Sequence, residues 1–254
     1  MKHLKRNSFI ILLITLFVLF LVLKDNFKTV ISTITTMDMK FVIIAIVLYF
    51  VYLFFHALVN YLWVNEKEKL SLKDAFQHMI ITQFFNGITP FSTGGQKFTN
   101  TLLNLITSLG KKLHFIKNQD KFLEKWRERL EDFHQCTKEV KEKKGLFVLG
   151  IVLNLIALTC YYAIPLFLVY SLHDYTSMSF FTSLVASAYV LIIGSFVPIP
   201  GATGGIEYAF LEIFSGFLGK SSVSAVMIVW RFITYYLGMV VGGVLFSFHK
   251  EGEE

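Results

Sequence analysis

Two ionisable residues lie where the surrounding sequence is apolar. Glu207 sits in GGIEYAFLEIF, and Arg231 sits eight residues into the last apolar stretch, in IVWRFITYY. Charged groups in such surroundings are costly, and they face a protein interior or an aqueous cavity. A carboxylate and a guanidinium can pair and so fix how the helix carrying Arg231 docks. Alternatively, Arg231 can meet a phosphate, and Glu207 can bind a cationic group or a proton. Both readings stand, and a pair that opens for a ligand satisfies both. Glu212, five residues after Glu207, reads as reaching an interface. His56, in FVYLFFHALVNYL, reads as a histidine hydrogen-bonded to a neighbouring helix. Cys136 lies in a charged segment and Cys160 in an apolar one, so both read as free thiols. There is no CxxC or zinc-ligand spacing, and no metal or cofactor is expected.

Glu207 follows a glycine-rich loop that occurs twice. TPFSTGG runs from Thr89 to Gly95, and IPGATGG from Ile199 to Gly205. Pro90 matches Pro200, Thr93 matches Thr203, and Gly94–Gly95 match Gly204–Gly205. Proline removes a backbone donor and paired glycines favour non-helical turns. In hydrocarbon every backbone N–H and C=O must be satisfied, so such a loop persists at depth only if it is buried in protein or lines a wet cavity. The half-helices it separates aim their ends there, where amide dipoles can hold an anion. The plainer alternative makes both loops ordinary interfacial turns.

The elements that must position these residues are apolar helices. The chain has 254 residues, of which 54% are hydrophobic and only 17% charged, with a mean hydropathy of +0.58. Soluble domains carry about 25% charged residues, so a polytopic membrane protein is expected. The apolar stretches are Ser8–Leu23, Phe41–Val64, Gly145–Leu172, Ser179–Val197 and Val223–Phe248, of 16, 24, 28, 19 and 26 residues. A span needs roughly 20 residues, so four qualify directly. The first qualifies if Lys5, Arg6 and Lys24 snorkel. Met1–Leu23 has a basic start but no small-x-small cleavage site after it, so a retained span is expected rather than a signal peptide.

Charge distribution sets an expected orientation. Lys2, Lys5 and Arg6 mark the N-terminus, and residues 111–144 hold 11 Lys/Arg against 7 Asp/Glu. The 173–178 loop, HDYTSM, has neither lysine nor arginine. Basic residues concentrate on the cytoplasmic side. The N-terminus, 65–74 and 111–144 are therefore expected in the cytoplasm, with 24–40 and 173–178 outside. The net charge of +6 reads as topology, with attraction to anionic headgroups secondary, and no nucleic-acid partner is expected. Within the basic segment, Ile116, Leu123, Trp126, Leu130 and Phe133 have helical spacing, which predicts an amphipathic helix over 115–133.

The two loops have similar surroundings. Each follows a long span, a short polar stretch and a second apolar helix, Leu72–Ile88 or Ser179–Val197. Ser71 with Asp74 three residues on predicts a capping box for the first of these helices. By the charge rule the long spans Phe41–Val64 and Gly145–Leu172 cross in opposite directions. The fold class expected is thus an all-α polytopic membrane protein, an inverted-repeat helical bundle with two broken or re-entrant loops. It forms one membrane domain: residues 1–110 hold the first span and first repeat, 111–144 the cytoplasmic helix, and 145–248 the second repeat.

FNGITPFSTGGQ (Phe85–Gln96) and VPIPGATGGIEYAF (Val197–Phe210), with Arg231 in the next span, resemble the lysylphosphatidylglycerol synthase transmembrane domain family. The resemblance covers most of the chain. It implies a multi-pass protein of the bacterial plasma membrane that handles phospholipids or lipid-linked molecules, like the flippase half of the fused synthases. It also implies that Thr89, Pro90, Thr93, Gly94 and Gly95, with Pro200, Gly201, Gly204, Gly205, Glu207 and Arg231, line a translocation region. Two departures stand out. The longest soluble segment, 111–144, has 34 residues, too few for an aminoacyl-tRNA-using domain, so lysyltransferase activity is not expected despite the family's label. After the first loop only 14 residues (97–110) precede the charged segment, against 43 (206–248) after the second, so the first repeat reads as shortened after Gln96.

Lipid translocation is the leading expectation, with membrane phospholipids bearing anionic or aminoacylated headgroups as partners. The second is a non-transporting subunit associated with a lipid synthase. Enzyme chemistry lacks its usual signatures, since no HExxH, GxSxG or P-loop occurs.

Overall fold

The structure is a computed structural model that describes residues 27–64, 71–88, 142–197 and 199–250. The expected first span, the loop Thr89–Gly95 and the amphipathic 115–133 stretch lie outside the described residues. No strand occurs among those described, and the protein is all-α. The chain divides into two compact units, one of residues 1–92 and 153–254, the other of 93–152. All elements below belong to the first unit except the start of α4.

α1 (Phe27–Thr35) leads through a short turn into α2 (Met39–Val64). α3 (Leu72–Ile88) begins where the sequence predicts, and Ser71 Oγ accepts a hydrogen bond from the Asp74 N–H at 3.3 Å. α4 covers Lys144–Tyr170 and α5 covers Phe180–Ser195. A 3-10 turn at Pro200–Ala202 precedes α6 (Gly205–Phe214). The last apolar stretch is α7 (Lys220–Arg231), a π-helical turn (Phe232–Leu237) and α8 (Gly238–Lys250).

Among the described residues, three helices are long and apolar enough to cross a membrane: Met39–Val64, Lys144–Tyr170 and Lys220–Phe246. Only 28%, 28% and 50% of their most apolar windows are buried. Phe54, Leu155, Phe181, Tyr189 and Val240 are among the exposed large side chains. So much outward apolar surface is stable only with hydrocarbon as solvent.

α5 is shorter than its apolar stretch suggests. Its 16 residues reach about 24 Å at 1.5 Å per residue. It stops at Ser195 because the chain turns at Phe196 and Val197, whose N–H groups donate to the Ile193 and Gly194 carbonyls at 3.1 and 3.0 Å. The Ser179–Val197 stretch is therefore one arm of a broken hairpin rather than a full span. α6 forms the other arm and packs against α5.

Two hydroxyls of α5 tie that hairpin to α4 in the turn before Pro165, whose missing N–H leaves the adjacent Tyr161 carbonyl without its usual helical donor. The Tyr162 carbonyl receives both the Ser183 and Ser187 hydroxyls of α5, at 2.9 and 3.0 Å. Ser183, Ala186, Ser187, Val190 and Gly194 form the buried face of α5, small residues at helical spacing that admit close approach.

α3 packs on α2, on α8 and on the Pro200–Ala202 turn. Glycines set the distance: a Cβ at Gly242 would strike the Ile80 carbonyl, and one at Gly238 the Tyr49 hydroxyl. The helix that precedes the first glycine-rich loop thus reaches the second.

Candidate functional site

The second loop is built from left-handed backbone. Gly201 has φ 63° and Gly204 φ 91°, conformations open to glycine, and Ala202 at φ 52° continues the turn. The Ala202 N–H donates to the Ile199 carbonyl at 2.8 Å, closing it. Side-chain volume matters as much as dihedral angle. A Cβ at Gly201 would enter the Tyr235 ring, and one at Gly205 the Val197 side chain.

This turn aims Glu207 back at its own loop. Glu207 is the third residue of α6, and its Oε2 accepts a hydrogen bond from the Gly204 N–H at 2.6 Å. That is one half of a capping box; glycine has no side chain to supply the other. The helix N-terminus, which the sequence suggests could hold an anion, is occupied by the protein's own carboxylate.

Oε1 accepts from Arg231 Nε at 2.7 Å, and both side chains are about 95% buried, with residue exposures of 3% and 5%. Arg231 Nη2 also donates to the Gly201 carbonyl at 2.8 Å. One guanidinium therefore ties together the loop, α6 and the terminal helix. Its Cζ lies 4.7 Å from the Tyr235 ring centre and 5.9 Å from that of Trp230, within cation–π range. Of the two readings open in the sequence, the closed pair is the state observed.

The π-turn begins immediately after Arg231. Widened turns of this kind occur often at functional sites, and this one carries Thr234 and Tyr235 beside the pair. Tyr235 meets Thr203 of the loop, and Tyr161 of α4 meets Thr234. Neither Tyr235, Thr234 nor Tyr161 stands out in the sequence as a site residue. Tyr235 follows Arg231 by one turn, which is its one local signal; the partner on α4 leaves none.

His56 differs from expectation. Its Nε2 is buried without a hydrogen-bond partner among the described residues. The ring instead sits edge-on to Tyr52, one turn earlier on the same helix, with centroids 4.7 Å apart. Glu212 is exposed, and Cys160 is a half-buried free thiol. Of the eleven candidate residues, Gly201, Gly204, Gly205, Glu207 and Arg231 come together with the Pro200 backbone. Thr89, Pro90, Thr93, Gly94 and Gly95 lie outside the described residues.

Outside the membrane segments, Asp174 organises the 173–178 loop. Its Oδ1 accepts from the Thr176 and Ser177 N–H groups at 3.2 and 3.0 Å. Hydrogen bonds from the Ser177 hydroxyl and backbone hold the carboxyl below its ordinary value.

Compared with known proteins, residues 8–105 and 101–242 match a family model described as the lysylphosphatidylglycerol synthase TM region. No curated protein and no solved structure matches the chain.

Proposed function

The chain belongs to the lysylphosphatidylglycerol synthase transmembrane-region family, and on that premise we propose that it moves phospholipids, or lipid-linked molecules, between leaflets. The observation that carries this reading is the buried Glu207–Arg231 pair clamped on the broken-helix turn at Gly201. A fixed cation and anion inside an apolar bundle can each exchange an internal partner for a headgroup. Arg231 would take the phosphate, its fork geometry suiting that group. Glu207 would take an aminoacyl or other cationic headgroup. The left-handed glycines permit close backbone approach, while the acyl chains stay in the bilayer. By the doubled motif of the sequence, Thr89, Pro90, Thr93, Gly94 and Gly95 would contribute to the same translocation path. The setting would be a bacterial plasma membrane, with the N-terminus cytoplasmic.

Proteoliposomes carrying a fluorescent phosphatidylglycerol test this. The wild type should speed exposure of the label to an external quencher, and Glu207→Gln or Arg231→Ala should abolish the gain. If neither variant changes the rate, these residues do not handle the headgroup.

The 14 residues between the first motif and the charged segment favour a second reading, a non-transporting subunit of a lipid synthase. Co-purification with such an enzyme, without lipid movement by the isolated protein, would support it.

A further inference from the structure

The surroundings of the Glu207–Arg231 pair differ sharply on its two sides. Along α6, Glu207 is followed at one-turn intervals by Phe210 and Phe214, leading away from the loop toward the Lys220 end. Their rings stack at 4.0 Å between centroids, and Trp230 stacks on Phe210 at 4.9 Å. All three residues are at most 1% exposed. The Trp230 indole N–H has no hydrogen-bond partner among the described residues.

On the other side the neighbours are polar. Tyr161 of α4 lies beside Thr234 and within reach of the Arg231 charge. Tyr52 of α2 meets Tyr161 at 4.7 Å, and His56 meets Tyr52 at 4.7 Å. Asn60, one turn further along α2, is exposed. Tyr52, His56 and Asn60 recur every four residues, making one stripe on a helix whose other positions are almost all apolar. Tyr49, one turn earlier, is 1% exposed, and its hydroxyl also lacks a partner among the described residues. An unpaired buried hydroxyl is expensive to keep.

The stripe and the stack point to opposite ends. Along the terminal helix Gly238 lies beside Gln83 and Gly242 beside Ile80, so this helix runs back along α3 toward Leu72 and the Val64 end of α2. Lys220, at its start, therefore lies toward the Met39 end, and the stripe runs away from it toward Val64.

From this asymmetry we infer that the pair is reached from one side only: a phospholipid's polar headgroup enters at the Val64 end along Asn60, His56, Tyr52 and Tyr161, and the Phe210–Phe214–Trp230 stack seals the other end. The inference rests on the lipid-handling reading for its occupant. By the charge pattern of residues 65–74, the open end faces the cytoplasm. The stripe carries hydroxyl, imidazole and amide groups and no carboxylate, which suits a phosphate travelling toward Arg231. The stack is the part that must move for release on the far side.

Single-cysteine accessibility tests this in full-length protein carrying Cys136→Ser and Cys160→Ser, using a charged, membrane-impermeant methanethiosulfonate. His56→Cys and Asn60→Cys should react from the Val64 side faster than from the other by on the order of 100-fold, since the reagent must otherwise cross apolar side chains. Tyr52→Cys provides a third reporter if either variant fails to fold. Phe210→Cys should be inert from both sides, and adding Trp230→Ala should expose it from the Lys220 side. Equal labelling from both sides, or inert cysteines along the stripe in folded protein, would overturn the inference. Labelling and lipid movement fail separately. One-sided labelling without lipid transfer keeps the route and removes the lipid, whereas transfer with an inert stripe removes the route.

Discussion

Replacing Glu207 by glutamine keeps its shape and removes one of two oxygen acceptors. The carboxylate uses both: Oε1 holds Arg231 Nε at 2.7 Å and Oε2 the Gly204 N–H at 2.6 Å. An amide can serve one of these donors and must turn its own NH2 toward the other. Arg231 is then a buried cation without a counterion, a loss of about 3–5 kcal/mol in proteins generally. Its bond to the Gly201 carbonyl and its place over Tyr235 survive, which puts the expected cost at the low end, about 3 kcal/mol. That is about a hundred-fold in the ratio of folded to unfolded protein. Arg231→Met should cost a similar amount by leaving the carboxylate unpaired. The double variant should cost no more than either single one, giving a coupling of about 3 kcal/mol. Equilibrium unfolding in mixed micelles, titrated with dodecyl sulfate and followed by tryptophan fluorescence, reads all three. The loss should be insensitive to salt, because the pair is shielded from it. If Glu207→Gln alone costs less than about 1 kcal/mol, or the two single effects simply add, the pair does not organise the fold and the reasoning fails.

Gly201→Ala should destabilise by about 2–4 kcal/mol, combining left-handed strain with the clash on Tyr235, and Tyr235→Ala in the same chain should recover the steric part in the same titration. Ser183→Ala or Ser187→Ala alone should cost under about 1 kcal/mol, since each leaves the Tyr162 carbonyl one donor, whereas the double variant should cost about 2 kcal/mol. The Asp174 carboxyl titrates below its ordinary value of 3.8. Its contribution is therefore present above that value and is lost as pH falls through the lowered one. Amide exchange at Thr176 and Ser177, corrected for intrinsic rates, should accelerate only in that acidic range, and Asp174→Ala should abolish the pH dependence.

Local signals in the sequence carried well. Ser71 and Asp74 gave the start of α3, and Leu72–Ile88 is its observed extent. The doubled glycine motif located the turn whose left-handed residues include Gly201 and Gly204. What hydropathy could not show is where an apolar stretch stops being helical. Ser179–Val197 is apolar to its end, yet its helix closes at Ser195 because the break ahead requires it. Nor does composition reveal tertiary partners. Glu207 and Arg231 are 24 residues apart, so their contact depends on α6 and α7 folding back on each other. His56 shows the reverse error: a polar type suggested a hydrogen bond, but its Nε2 has no partner among the described residues and the ring packs on Tyr52.

The π-turn at Phe232–Leu237 also sets a phase. Each residue advances an α-helix by about 100°, so one residue more or fewer re-aims everything downstream. Upstream of the turn, Arg231 points at the loop; downstream, Gly238 and Gly242 point at Tyr49 and Ile80. Removing one residue within it would bring Met239 to the position of Gly238, where even a methyl group meets the Tyr49 hydroxyl. The terminal helix thus behaves as two rods joined at a fixed angular offset. Through that offset, the spacing of α3 against α8 and the aim of Arg231 are settled together by the length of a single turn.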